Sequence, residues 1–330
     1  MEIQDSSNNE NILNDLPVVL LLGPPVIFKT YESQFSEKFR FLKPWESLMP
    51  LHQFFSTQAG FVQAVFCSGS HSITSDILQS LPELHFIMTS SAGLDHIDLH
   101  ECRRRGVKVS NAGTIFSEDV ADLAVGLLVD VLRKITAANR FVKAGLWHQN
   151  GDYPLGHKLG GRRVGIVGMG SIGLDVAKRL NALGCIISYT SRNKKPHVTF
   201  PFCTDIHELA ANCEVLVICC ALTDQTRHMI DRSVMLALGK DGIIVNIARG
   251  ATINEKDLVE CLLKGEIAGA GLDVFENEPD VPEELFRLDS VVMTPHHAVM
   301  TAESMRDLYE LVVGNLDAFF SNKPLMFQVV

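Results

Sequence analysis

The chain is predicted to fold as two doubly wound α/β units, the second inserted into the first. Three observations predict this. Its 330 residues suffice for about two domains of ordinary size. Short apolar, β-rich runs alternate with helical stretches along most of its length, which calls for parallel sheets covered by helices. Midway, the apolar run "RRVGIV" passes through the spaced glycines of "GMGSIG" into a helical pattern, the order of a dinucleotide-binding turn of the Rossmann kind.

The opening stretch "MEIQDSSNNENILN", residues 1–14, is polar and acidic, without the basic start and apolar core of a signal peptide, and reads as a disordered tail. From Pro17, "PVVLLLG", "VQAVFCSG", "LHFIMTSS" and "GVKVSNA" read as buried parallel strands bounded by turn residues. Between them, "TSDILQSLP" reads as a short helix opened by a Thr or Ser cap, and "DLHECRRRG" as one closed by Gly106. These form a first unit over residues 15–112, completed by 300–330 at the far end of the chain.

Ser117 then caps "SEDVADLAVGLLVDVLRKITAANRFVKAG", with acids in its first turn, bases in its last and Gly145 as stop signal. Val120, Ala124, Leu127, Leu128, Val131, Ile135 and Phe141 recur at helical spacing. A single helix of this length, roughly 40 Å at 1.5 Å per residue, exceeds what one small domain covers. It is expected to be an interdomain and subunit-contact element. The second unit, 113–299, continues through "RRVGIVGMGSIG", "CIISY", "EVLVICC", "GIIVNIA", "GAGLDV" and "VVMTP", with "LDVAKRLNALG" and "NEKDLVECLLKG" as helices between them. After "TPHH" a last helix, "TAESMRDLYELVVGNLDAFFS", returns to the first unit.

Composition narrows the function. Hydrophobic residues make up 46% and charged residues 21%, a globular composition. A net charge of -10 argues against nucleic acid or an anionic membrane as partner. No apolar run reaches the roughly 18 residues of a membrane span. The eight cysteines have neither paired nor zinc-type spacing and read as buried free thiols, so no metal is expected and the cytoplasm is the default compartment.

In the glycine turn, Gly168 allows the tight bend, Gly170 lets backbone approach a pyrophosphate, and Gly173 lets helix and strand pack closely. The pyrophosphate would sit on amides at the helix start. The NAD version of this pattern ends its second strand with an acidic residue that binds the ribose. Here "IISYTSRNK" puts Thr190 at that place. Losing the carboxylate removes a charge that would repel a 2′-phosphate, and Thr190, Ser191, Arg192, Asn193 and Lys194 offer hydroxyl and cationic donors to one. NADP(H) is therefore expected over NAD(H), the alternative being a solvated basic turn.

Three polar residues stand at ends of expected strands, where this fold places ligands: Arg249 in "VNIARG", Glu278 in "LDVFENEP" and His296 in "MTPHHA". A cation can clamp a substrate carboxylate, a histidine can exchange a proton with a carbonyl oxygen, and a nearby carboxylate favours the protonated ring. Together these are the parts for reducing a 2-oxo acid. Singly, they also read as a surface ion pair, a solvated loop acid and a structural histidine.

From about residue 60 to 320 the chain resembles the D-isomer-specific 2-hydroxyacid dehydrogenases. The resemblance is carried by "SSAGLDHIDL", "NAGTIFSEDVADLAVGLLVDVLR", "GGRRVGIVGMGSIG", "LTDQTRHMI", "IVNIARGATINEKDLVECL", "AGAGLDVFENEP" and "TPHHA". It implies a flavodoxin-like substrate domain carrying an inserted Rossmann domain. It also implies Arg249 as substrate-binding arginine, Glu278 as acidic partner and His296, directly after Pro295, as proton donor, with His297 the neighbouring candidate. The backbone of Ala92 and Gly93 would hold the substrate carboxylate. Met169, Ser171 and Ile172 in the glycine turn, Ile247 and Ala248 before Arg249, and Asp273 near the nicotinamide would complete the cofactor site.

Within the family the likeness is to NADPH-dependent hydroxypyruvate/glyoxylate reductases, a group that embraces hydroxyphenylpyruvate reductases. They share the "SR" pair and the "GLW" segment, here Gly145, Leu146 and Trp147. Trp147 then reaches a partner subunit's active site in a homodimer, or simply packs in its interface. The chain departs from the family at Ala221, often proline there, and at "PHHAV", where "PHIGS" is common. A different class of function also stands: a non-catalytic, nucleotide-sensing module like the corepressors that share this fold.

Overall fold

Strands buried on both faces of a parallel sheet are largely apolar, and such runs form two sheets here. The computed structural model describes residues 16–23 and 25–330; the stretch read as a disordered tail lies outside them. The first unit consists of residues up to Phe116 together with Ala302–Val330. Its strands β1 (Val18–Leu22), β2 (Arg40–Leu42), β3 (Ala64–Cys67), β4 (Phe86–Thr89) and β5 (Lys108–Ser110) are parallel in the order β2-β1-β3-β4-β5. Leu20, Val65, Ile87 and Val109 stand side by side across the sheet and are fully buried. Only β2 is absent from the sequence reading, because three residues show no usable alternation.

Helix 302–320 packs on this sheet through Phe319 on Phe86, 5.1 Å between rings, and on helix Glu32–Ser36 through Tyr309 beside Phe35, 4.9 Å. The terminal segment then lies antiparallel along β5, with the Val329 N–H donating to the Val109 carbonyl at 2.8 Å. Helix Leu99–Arg105 is capped by Asp98, whose side chain accepts the Glu101 N–H at 2.9 Å, and closed by left-handed Gly106. The cap expected for the helix of "TSDILQSLP" is not made: Thr74 at its N-cap forms no side-chain capping bond. Ser75 donates instead to Asp98 at 2.9 Å.

The second unit, Ser117–Thr301, carries β6 (Arg163–Val167), β7 (Ile186–Thr190), β8 (Val215–Ile218), β9 (Ile243–Asn246), β10 (Gly269–Leu272) and β11 (Val291–Met293). All are parallel, in the order β11-β10-β9-β8-β6-β7. The winding direction therefore reverses between β6 and β8, and such a reversal opens a ligand crevice at the carboxyl ends of the strands. The alternation "GAGL" lets helix 117–133 settle onto β10: a Cβ on Gly271 would lie 3.0 Å from Leu127 Cβ.

The long helix expected from Ser117 to Gly145 is two helices, Ser117–Arg133 and Ile135–Lys143. Between them Lys134 takes a left-handed φ of 56°. Asp130 replaces the lost continuity, accepting the Thr136 N–H at 2.8 Å and the Thr136 hydroxyl at 2.5 Å. This is a cap delivered from the preceding helix, worth about 1 kcal/mol. The consequence for the apolar face is direct. Val120, Ala124, Leu127, Leu128 and Val131 are buried, whereas Ile135 is exposed.

Candidate active site

The turn after β6 is built by glycines with different reasons for being glycine. Gly168 has φ +99°, and a Cβ there would lie 2.6 Å from the Cys220 nitrogen; one on Gly173 would lie 2.0 Å from the Gly168 carbonyl oxygen. These two are required by the fold itself. Gly170 has an ordinary backbone, and a Cβ there would meet nothing within 4 Å. The protein leaves that space open beside the start of helix Ser171–Ala182, whose N-cap receives no side-chain bond. The amides at Ser171, Ile172 and Gly173 thus begin a 12-residue helix whose dipole favours an anion. Met169 is buried under the turn.

The end of β7 stands beside this turn, the Thr190 carbonyl accepting the Gly168 N–H at 2.8 Å. Thr190 is buried, and Ser191 donates to the Asn193 carbonyl at 2.8 Å. Arg192, Asn193 and Lys194 are exposed, and neither cation forms an ion pair among the described residues. No carboxylate takes the ribose position at the strand end. This donor set fits a dinucleotide carrying a 2′-phosphate.

Beyond β9, buried Asn246 shapes the next turn: its amide donates to the Arg249 carbonyl at 2.9 Å and its oxygen accepts the Ala248 N–H at 3.1 Å. Ile247 is buried. Gly250 lets this turn lie against the loop after β10, since a Cβ there would fall 1.8 Å from the Phe275 carbonyl carbon. Arg249, half-buried, donates to the Ala248 carbonyl at 2.8 Å and adds positive charge near Glu278. Neither Asn246 nor Gly250 was singled out from the sequence. A polar residue and a glycine around the end of an apolar strand were the available signals.

Glu278 accepts the Phe275 N–H at 3.0 Å through one oxygen and faces the His296 Nδ1 at 2.7 Å through the other. Burial pushes its carboxyl up, but the His296 and Phe275 bonds and the positive charges of His296 and Arg249 outweigh this and hold it below the usual glutamate value. His296 itself adopts a left-handed φ of 49°. Such a conformation costs about 1–3 kcal/mol for a residue with a side chain and persists only where its surroundings enforce it. Asp273 does so. Its carbonyl takes the His296 N–H at 2.8 Å, and its carboxylate takes the Thr294 hydroxyl at 2.7 Å and the N–H groups of His297 and Ala298 at 2.9 and 3.1 Å.

Asp273 is thus an organiser of the histidine turn. His297 faces Asp273 at 3.4 Å and not Glu278, so only His296 of the two has the glutamate as partner. A second pair went unread in the sequence: His228, also left-handed at φ 53°, faces Glu276 at 2.6 Å. The Glu276 N–H in turn donates to Glu255 at 3.0 Å, whose carboxyl is pushed up first by burial and then by the charges of Glu276 and Glu278.

In the first unit, Ala92 and Gly93 occupy the bend after β4. Their N–H groups find no acceptor among the described residues. Asn111 braces the bend, donating to the Ala92 carbonyl at 2.6 Å while accepting the Gly113 N–H at 3.0 Å. Trp147, on the short helix Leu146–Asn150, is 61% exposed. All eight cysteines are free, and burial pushes the Cys67 thiol up to about 12 and the Cys220 thiol up to about 11, which keeps both protonated.

A histidine with one ring nitrogen given to a carboxylate has the other free to pass a proton, a nearby arginine can take a carboxylate, and the same unit offers an anion-binding turn. These are the requirements of a dehydrogenase acting on an acid. The comparisons agree. A family model, the NAD binding domain of D-isomer specific 2-hydroxyacid dehydrogenases, matches residues 125–298. The chain is 50% identical over 313 residues to a glyoxylate/hydroxypyruvate reductase of Arabidopsis thaliana, covering 95% of this chain and 97% of that one. It is 42% identical over 313 residues to a hydroxyphenylpyruvate reductase of Plectranthus scutellarioides, covering 94% and 98%. A solved NADPH-dependent glyoxylate/hydroxypyruvate reductase from Sinorhizobium meliloti, in complex with NADP and malonate, superposes with TM-score 0.88 at 32% identity, over 95% of this chain and 97% of that one.

Proposed function

The chain belongs to the D-isomer specific 2-hydroxyacid dehydrogenase family, and from that premise we propose that it reduces a small 2-oxo acid, glyoxylate or hydroxypyruvate, to the D-2-hydroxy acid with NADPH. The observation that carries this reading is the His296–Glu278 pair at 2.7 Å, in the unit that also holds the glycine turn. A bound nicotinamide would supply the hydride for the keto carbon. The chain's own residues do the rest. Glu278 as a carboxylate can only accept, so His296 donates through Nδ1 and delivers the proton to the keto oxygen from Nε2.

Arg249 takes the substrate carboxylate, for which its planar fork is suited, and the first unit offers the amides of Ala92 and Gly93 as carboxylate donors. The second unit is the cofactor domain. Gly168, Met169, Gly170, Ser171, Ile172 and Gly173 hold the pyrophosphate, and Ser191, Arg192, Asn193 and Lys194 hold the 2′-phosphate. Ile247, Ala248 and Asp273 would complete the cofactor site at its nicotinamide end. The first unit is the substrate domain.

The same reading includes a cytoplasmic homodimer. Among the described residues no helix is long and apolar enough to cross a membrane, and the free thiols suit a reducing compartment. Exposed Val142, Trp147 and Phe286, with a groove of about 310 Å³ lined by Leu123, Leu127, Phe286 and Met293, suit a second copy. Loss of NADPH absorbance on adding glyoxylate or hydroxypyruvate to the purified protein tests the enzyme. Nucleotide binding without turnover on either acid, or on hydroxyphenylpyruvate, would leave the sensing module as the answer.

A further inference from the structure

Tyr189 is fully buried in β7, yet its side chain ends in a hydroxyl, and a buried phenol needs a partner. That partner lies in the basic loop: the phenol oxygen accepts the Lys195 N–H at 2.9 Å. The ring packs on Phe202 at 5.3 Å between centroids. The backbone of Tyr189 binds the far end of the loop as well, donating to the Pro201 carbonyl at 2.9 Å and accepting the Cys203 N–H at 2.8 Å. One residue on, the Thr190 carbonyl joins the loop's start to the glycine turn. Residues 191–200 are thus a closed loop whose exit from the basic stretch and whose return are both anchored on one tyrosine.

We infer that Tyr189 is a positioning residue for cofactor choice: through Lys195 it holds Ser191, Arg192, Asn193 and Lys194 in one arrangement, ready for a phosphate. Arg192, Asn193, Lys194 and Lys195 are exposed, and without an anchor their cations would have to be ordered by the ligand, which weakens binding. Tyr189 is fully buried and presents no surface to a ligand. A phenylalanine would fill the same volume and pack on Phe202, but would release the Lys195 N–H. The choice of tyrosine therefore concerns the loop rather than the core. This rests on the reading of the loop as a 2′-phosphate site and adds to it what keeps the site formed.

The test is the binding of adenosine 2′,5′-bisphosphate and of 5′-AMP by titration calorimetry, for wild type, Tyr189→Phe and Arg192→Ala. Neither probe depends on turnover. Tyr189→Phe should weaken the bisphosphate about fivefold, the worth of one net hydrogen bond, and leave 5′-AMP within about twofold, while the melting temperature reports any general loosening. Equal weakening of both probes, or no change in either, overturns the positioning role. A wild type that binds the two probes alike sinks the 2′-phosphate reading and the inference together. If wild type and Arg192→Ala show the phosphate preference and its loss, but Tyr189→Phe keeps it, only the inference fails.

Discussion

The His296 Nδ1 stands 2.7 Å from the Glu278 carboxylate, while its neighbour His297 turns to Asp273 at 3.4 Å. Two adjacent histidines thus have different partners. His296→Ala should lower kcat for glyoxylate by about two to four orders of magnitude, the range for a positioned general acid, with NADPH binding intact. His297→Ala should be mild by comparison. Steady-state kinetics on both variants decides, and the reverse ranking would reassign the proton donor.

The lowered carboxyl of Glu278 makes a stability prediction with a definite sign. Because its folded value lies below the ordinary 4.5, ionised Glu278 contributes stability that is complete above the unfolded value and is lost as pH falls through the folded one. The melting-temperature gap between wild type and Glu278→Gln should close as pH falls below about 4.5, where the folded carboxylate is protonated. A gap that persists unchanged well below that range would contradict the lowered carboxyl.

Substrate binding should depend on both the proposed clamp and the brace of the bend. Arg249→Ala should raise KM for glyoxylate and slow turnover. Asn111→Ala, which removes the support of the Ala92 carbonyl, should raise that KM about fivefold, the loss of one net hydrogen bond, without changing KM for NADPH. An unchanged glyoxylate KM in either variant removes that residue from substrate binding.

Cofactor preference is expected to reside in the residues after β7. Wild type should favour NADPH over NADH in kcat/KM at fixed hydroxypyruvate. Arg192→Ala should raise the NADPH KM by roughly tenfold, as for a lost charge-assisted bond, with little effect on NADH. Thr190→Asp should move preference toward NADH. Equal wild-type values for the two cofactors would make this stretch a surface turn.

Sedimentation at micromolar concentration should show twice the 36.4 kDa chain mass. Phe286→Asp, at an exposed aromatic beside the groove of the second unit, should shift the population toward monomer. A wild-type monomer with full activity would remove both the dimer and any trans role for Trp147.

What was legible in the sequence has a local cause. Strands β1, β3, β4 and β8 are readable because burial on both faces demands unbroken apolar runs. Gly168 and Gly173 are readable because a turn and a close packing forbid a side chain there, and Gly106 because a helix end takes a left-handed residue. The missing acid at Thr190 is legible for the same reason: its place is counted along the chain from the glycines.

Tertiary structure decided everything that depends on which distant groups meet. The helical period runs on through Lys134, so the break appears only where Asp130 reaches Thr136 and ends one helix by capping the next. The chain has twelve histidines, and among the described residues it is the loops after β8, β10 and β11 that bring His228 to Glu276 and His296 to Glu278. Tyr189 reads as one more apolar strand position until its phenol is seen on the Lys195 amide. Periodicity and turn chemistry report the conformational needs of neighbouring residues. A hydrogen bond between residues far apart in sequence depends on the register and closure of the whole sheet, and it took the fold to bring His296 to Glu278.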